Sequence, residues 1–232
     1  MKKIGIFLVG LIFLFAPNAF SNQKEWTSLN KVLQDKLELK NEMAALFFVD
    51  SVTTAVDELL QNLQSIANPL ISSDERKQIV VKTINMFESA NSWVQVSTIK
   101  SSNKPETISI SEYLNRLGYL AAKKAYSKIV ITLHPNKRYS GIEKTSDPIK
   151  NVTYYSFDLS IWQHFAGFRE GELIYADGTR KLINFKATKN SNGLYDLIIS
   201  KISVSQTIPL TNARINRLRK TSSYGGYYEK SM

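Results

Sequence analysis

The chain has 232 residues, with 30 Lys+Arg against 20 Asp+Glu for a formal net charge of +10, and 43% of its residues are hydrophobic. That length and apolar content suit one domain with a sizeable core plus tails. There is no cysteine, and the only histidines are His134 and His164, which excludes disulfide staples, thiol nucleophiles and thiolate metal sites and leaves no paired-His spacing for zinc.

Met1, Lys2 and Lys3 precede an apolar run from Ile4 to Ala16, a break at Pro17, and the small residues Ala19 and Ser21. This is the pattern of a secretory signal peptide cleaved after Ser21. The thirteen-residue apolar run spans about 20 Å as a helix, short of the roughly 30 Å hydrocarbon core. Without a cysteine, lipid attachment at the end of the signal is excluded. Cleavage leaves 28 Lys+Arg against 20 Asp+Glu, a net of +8. The expectation is a protein exported to the bacterial periplasm or cell envelope, with no transmembrane segment in the mature chain.

Residues 22–41 read as a moderately amphipathic leader helix held by Leu29, Val32, Leu33, Leu37 and Leu39. A domain over 42–210 follows. Its first helix covers about 42–67, where Phe47, Val49, Val52, Val56, Leu59, Leu60 and Leu63 recur at three- and four-residue steps. Asn68-Pro69 ends it, because the residue before proline is pushed out of helical space. The run from Ser73 to about Ala90 predicts a second helix, capped in the Ser73-Asp74-Glu75-Arg76 region and apolar at Ile79, Val80, Ile84 and Phe87. Alternating β-branched residues predict a strand over 92–102, broken by Lys104-Pro105. Ile110, Tyr113, Leu114, Leu117 and Leu120 predict a third helix, with Ser111 as cap and an interruption or end near Gly118.

Strand patterns then dominate, in the runs 128–135, 151–168, 171–189 and 193–208. Asp177-Gly178 and Asn192-Gly193 read as hairpin turns, and His134 to Lys144 as a basic loop between strands. The plan is α+β, with N-terminal helices packed on a curved antiparallel sheet. Residues 211–232 carry Arg214, Arg217, Arg219 and Lys220, then Tyr224, Tyr227 and Tyr228, with no periodic apolar face. They read as a flexible basic and aromatic tail.

The helix pair over 42–90, the strand "WVQVSTIK", the helix "SEYLNRL" and the closing strands from Lys128 to Ile208 resemble, by order of elements, the nuclear transport factor 2-like superfamily, the cystatin-like α+β cone. The resemblance implies helices wrapped against the concave side of a curved sheet. It also implies a fold shared by small isomerases, dehydratases and non-catalytic binding domains. It transfers no functional residue to this chain.

Within "FDLSIWQHFAGF", odd positions such as Phe157, Leu159 and Ile161 form an apolar strand face, and Asp158, Ser160, Trp162 and His164 form the other. Asp158 and His164 lie six residues apart, about 20 Å along a strand, so they cannot act as one acid–base pair. Trp162 with His164 and Asp158 marks a contact patch anchored by the indole. Arg214, Arg217, Arg219 and Lys220 form a basic element suited to an acidic envelope protein, an anionic polymer or lipid rather than nucleic acid. Glu42, Asp50, Asp57 and Glu58 border the first long helix and are the carboxylates that a helix–sheet pocket would use. Nothing predicts a cofactor or a metal. The expected role is a non-catalytic binding or assembly module of the periplasm or envelope. The alternatives are a cofactor-free isomerase or dehydratase working through a pocket carboxylate, and a structural subunit of an envelope complex.

Overall fold

A computed structural model describes residues 23–123, 125–147, 152–190 and 194–221, apart from the side chains of 23–26, 135–137 and 220–221. The signal peptide, the Asn192-Gly193 turn, the Lys220 side chain and the three tail tyrosines therefore lie outside the described residues. The described residues divide into two compact units, one up to Asp50 and one from Ser51 onward.

In the first unit, α1 covers Gln23–Leu37. Glu38 ends it by taking a left-handed φ of 52°, and the Leu39 amide then closes on the Gln34 carbonyl at 3.1 Å. Asn41 starts the next helix, α2 over Glu42–Ile66, by accepting the Ala44 amide at 3.0 Å. Leu33, Leu37, Ala45, Phe48 and Val49 are buried.

The second unit holds the rest of α2, then α3 (Ser73–Ile84), β1 (Trp93–Val96), β2 (Glu106–Ser109), α4 (Ile110–Ala122), β3 (Lys128–Asp147), β4 (Val152–Arg169), β5 (Glu172–Lys189), β6 (Tyr195–Pro209) and α5 (Asn212–Thr221). The six strands form one sheet in the order β2-β1-β6-β5-β4-β3. All neighbours are antiparallel except β1 and β6, joined in parallel at Val94 and Ile202. Register shifts in β3, β4, β5 and β6 add local bend and twist, and the sheet is curved and unclosed. The expected α+β plan of helices on a curved, largely antiparallel sheet is thus present.

The inner sheet face carries the core. Leu59 and Leu63 of α2 and Ile110 of α4 meet Val94, Leu133, Ile161, Ile183 and Ile202 there. Phe157 and Phe185 face each other across β4 and β5 with no exposure and stack at 5.4 Å between ring centroids, 17° from parallel. The period-two assignment of Phe157, Leu159 and Ile161 to a core face holds; all three are buried.

Several local expectations give way to tertiary contacts. Helix α3 is capped by Ser72, whose hydroxyl accepts the Glu75 amide at 3.1 Å, and stops at Ile84. The chain unwinds there because Met86 and Glu88 bond to Ile199 of β6 at 2.9 Å each. A short strand, β2, follows the Lys104-Pro105 break, and Ser109 rather than Ser111 caps α4. Helix α4 runs straight through Gly118. A Cβ there would sit 3.0 Å from Arg76 Cδ, and Arg76 uses that gap to donate to the α2-end carbonyls of Ile66 and Asn68, at 3.0 and 2.7 Å. The basic run 134–144 is bulged strand inside β3, not a loop.

Two further corrections concern the far side of the sheet. Asp177-Gly178 is mid-strand in β5, not a turn. A Cβ on Gly178 would lie 2.9 Å from Leu210 Cδ2 and 3.3 Å from the His164 ring, so the glycine makes room for the segment that closes over it. That segment leads into α5, where a flexible tail was expected. Residues 212–221 are helical, and Leu218 and Leu210 are buried against Ala166 and Phe168. Sequence periodicity missed the helix because only Ile215 and Leu218 grip the sheet in nearly three turns of otherwise mostly polar and basic residues.

Candidate functional site

Two groups of side chains hold chemistry, one on each face of the sheet. On the inner face, alternation along β5 aligns Tyr175, Asp177, Thr179 and Lys181 with the core residues Ile183 and Phe185. Gln163 pairs with Thr179 across β4 and β5, and Thr207 pairs with Thr179 across β5 and β6. Tyr113 enters from the first turns of α4, and Lys181 places its ammonium 5.4 Å from the centre of the Tyr113 ring, a cation–π distance.

Burial sets the proton affinities here. Lys181 is only 5% exposed, and burial pulls its ammonium down to about 8, partly offset by the negative charge of Asp177. Burial also raises Asp177, opposed by the hydrogen bond from the Tyr175 hydroxyl and by the charge of Lys181. The phenol of Tyr113 is pushed up to about 12, chiefly by burial, with its hydrogen bond to Gln163 acting the other way. Tyr175 is raised by burial and then by its bond to Asp177. Tyr126 lies flat over Gly167, with its ring 2.4 Å from where a Cβ would be, and makes an edge contact with Phe165 at 6.2 Å. Phe165 in turn meets Tyr175 at 6.1 Å.

An amine near neutrality, a carboxyl with raised proton affinity and two phenols form an acid–base set. The space beside Lys181 and Tyr113 is small. The pocket lined by Leu59, Tyr113, Gln163, Lys181 and their apolar neighbours has a volume of about 10 Å³, room for about one water where a small-molecule site needs roughly 300–1,000 Å³. None of Glu42, Asp50, Asp57 and Glu58 lines it. Glu42 and Asp50 are exposed, and Glu58 pairs with Lys82 at 3.0 Å.

The outer face carries the residues singled out from sequence. Trp162 is half-buried, with His134 of β3 and Arg180 of β5 as its cross-strand neighbours. Arg180 donates to Ser160 at 3.2 Å and covers it. Asp158 accepts from Asn184 at 2.8 Å, so its carboxylate is held within the sheet face. Lys186 bonds Glu88 at 2.5 Å and lies 5.1 Å over the Tyr154 ring. A second indole, Trp93 of β1, sits under Lys201 at 5.4 Å.

His164 departs from expectation. It is 7% exposed rather than presented for contact. Its ring lies 4.7 Å from that of His134, and Arg214 of α5 donates to its Nε2 at 3.4 Å. Burial, then His134, then Arg214 bring its affinity for protons down to about 4. Sequence reasoning placed His164 and Arg214 in separate groups, and the fold joins them. It keeps Asp158 and His164 apart, with different partners. Arg217 and Arg219 are exposed on α5. Among the described residues no group of three or more His, Asp or Glu is arranged to hold a metal ion.

Lys181, Asp177, Tyr175 and Tyr113 were missed as a group. The same period-two count that sorted β4 places the three β5 members on the core face once Asp177-Gly178 is read as strand. Trp93 and Lys201 on the outer face were reachable in the same way.

No family model matches the chain, and no curated protein matches it. Among solved structures the chain is similar to Kfla4162 of Kribbella flavida, at 13% identity and a TM-score of 0.37, over 73% of this chain and 99% of that one. It is also similar to a protein of Catenulispora acidiphila, at 10% identity and a TM-score of 0.31, over 72% of this chain and 96% of that one.

Proposed function

We propose that the chain is an exported, non-catalytic binding module of the bacterial periplasm or cell envelope, built on a nuclear transport factor 2-like plan. Its binding surface is the outer sheet face around Trp162. The observation that carries this reading is the small pocket between helices and sheet, whose volume of about 10 Å³ leaves no space for a substrate beside Lys181 and Tyr113. The outer face supplies what an acidic partner needs. Trp162 offers an aromatic anchor, and Arg180, Arg138 and His134 surround it on neighbouring strands. The order of strands, β2-β1-β6-β5-β4-β3 after the helices, supports the superfamily assignment. The run Ile4–Ala16 behind Lys2 and Lys3 supports export.

The test is co-sedimentation of the protein with isolated cell envelopes. Binding is expected to fall at least about tenfold between about 0.05 and 0.5 M salt, and to be lost in Trp162→Ala and Arg180→Gln with the fold intact. Unchanged binding in both variants removes the outer face from the proposal. Replacing Arg214, Arg217, Arg219 and Lys220 by Gln in the full chain asks separately whether they contribute, and leaves Leu218 in place on Phe168.

A second reading, a cofactor-free isomerase or dehydratase, is favoured by one observation: a buried carboxyl, Asp177, held by Tyr175 near an amine of lowered proton affinity. It requires the helices to part from the sheet. Small-molecule binding that perturbs the Tyr113 and Tyr175 ring resonances would replace the first reading with this one.

A further inference from the structure

We propose that α5 is an acid-released cover: protonation of His164 undocks residues 212–221 and exposes the apolar outer-face patch of Val130, Ala166, Phe168 and Leu173. The geometry is that of a neutral imidazole used as a hydrogen-bond acceptor beneath a positively charged helix. His164 is 7% exposed, and Arg214 donates to its Nε2 at 3.4 Å. A guanidinium has no acceptor atom, so a proton on Nε2 turns that bond into a contact between two donors and two cations.

Every charged group that faces the ring adds to this penalty. Arg214 approaches from α5, and His134 of β3 brings its ring to 4.7 Å. The residue opposite on β5 is Gly178, and the next outward β5 side chain is Arg180. Among the described residues no carboxylate acts on His164. The hold on the other side of the balance is slight, since α5 itself contributes Ile215 and Leu218 to the apolar cluster, with Leu210 just before it. A helix of ten residues has little stability of its own once undocked.

The direction follows from proton linkage. His164 is depressed from an ordinary 6.5 to about 4 in the docked state. Docking is therefore fully supported above pH 6.5 and is lost as the pH falls toward 4, because the undocked state binds the proton more tightly. For one proton with these two affinities, the docking constant falls about 20-fold between pH 7 and pH 5.

The experiment is hydrogen exchange on the whole chain, with rates corrected for the intrinsic effect of pH. The expected result is an about 20-fold loss of protection in the α5 amides from pH 7 to pH 5, with the β4 amides of 157–163 unchanged. His164→Gln keeps an acceptor for Arg214 and cannot be protonated, so its α5 protection should hold steady over the same range. If that variant does not fold, Arg214→Gln decides. Removing one facing cation lets the docked ring take its proton more readily and shrinks the loss. The proposal is overturned if α5 is unprotected at pH 7, if wild-type α5 protection does not change with pH, or if the loss is the same in the wild type and either variant.

Discussion

Replacing Lys181 by methionine tests the energetics of the inner face. The side chain is 5% exposed, and its ammonium is depressed from 10.5 to about 8. At 1.36 kcal/mol per unit, keeping it charged in the fold at neutral pH costs about 3 kcal/mol. Methionine fills nearly the same volume without the charge, and the ammonium's depressed proton affinity makes it a net cost to the fold even after the offset from Asp177. Asp177 keeps its bond from Tyr175 in the variant. Lys181→Met should therefore be more stable than the wild type by about 1–3 kcal/mol at pH 7, the cost of the charge less what Asp177 loses with its neighbour. The wild type should then catch up. Above pH 8 the folded protein releases the Lys181 proton while the unfolded chain holds it until 10.5, so wild-type stability rises with pH across that window. By pH 9.5 the gap should have narrowed by about 2 kcal/mol. Urea unfolding followed by tryptophan fluorescence at pH 7, 8.5 and 9.5 measures it, and other titrations common to both proteins cancel in the difference. A gap that is constant with pH, or a variant less stable than the wild type at pH 7, would refute the assignment of Lys181 as a buried amine only partly compensated by Asp177.

Phe185→Ala removes one member of the stacked, fully buried Phe157–Phe185 pair and should cost about 3–5 kcal/mol in urea unfolding. Arg76→Ala removes two charge-assisted bonds to the end of α2 and should cost about 1–3 kcal/mol. Gly118→Ala should gain about 1 kcal/mol of helix propensity in the Arg76→Ala background and less in the wild type, where its Cβ meets Arg76 Cδ; additive effects across the four proteins would contradict this. Gly178→Val crowds Leu210 and His164 and should leave α5 open to trypsin at neutral pH, with a modest global loss of about 1–3 kcal/mol.

The elements that were legible in the sequence are those that a local period determines. The Val52–Leu63 stripe of α2 and the Phe157, Leu159, Ile161 face of β4 needed no tertiary information, since each residue's neighbours along the chain already define its side. What escaped was set by contacts distant in sequence. Helix α3 stops early because Ile199, more than a hundred residues on, takes the backbone of Met86 and Glu88. Gly118 reads locally as a helix breaker, yet it is a gap for Arg76. Asp177-Gly178 has the composition of a hairpin turn, and only Leu210 packing over the glycine shows why the strand continues.

The candidate residues follow the same division. Period two assigned Trp162 and His164 to one face correctly, but a face is not an exposure. Whether a polar strand face meets solvent depends on what lies over it, and α5 covers His164 while leaving Trp162 half open. Net charge pointed to Arg214 as a ligand for something acidic; in the fold its guanidinium bonds the His164 imidazole. Arg214 is exposed but its guanidinium is engaged with the sheet through His164, so what it offers a ligand depends on whether α5 is docked. Release of the helix would free the Arg214 guanidinium from His164 and uncover Phe168 at the same time. A binding face around Trp162 would then grow in both charge and apolar area when the surroundings turn acidic, so that its affinity for an acidic partner should rise as the pH falls from 7 to 5, in the wild type but not in His164→Gln.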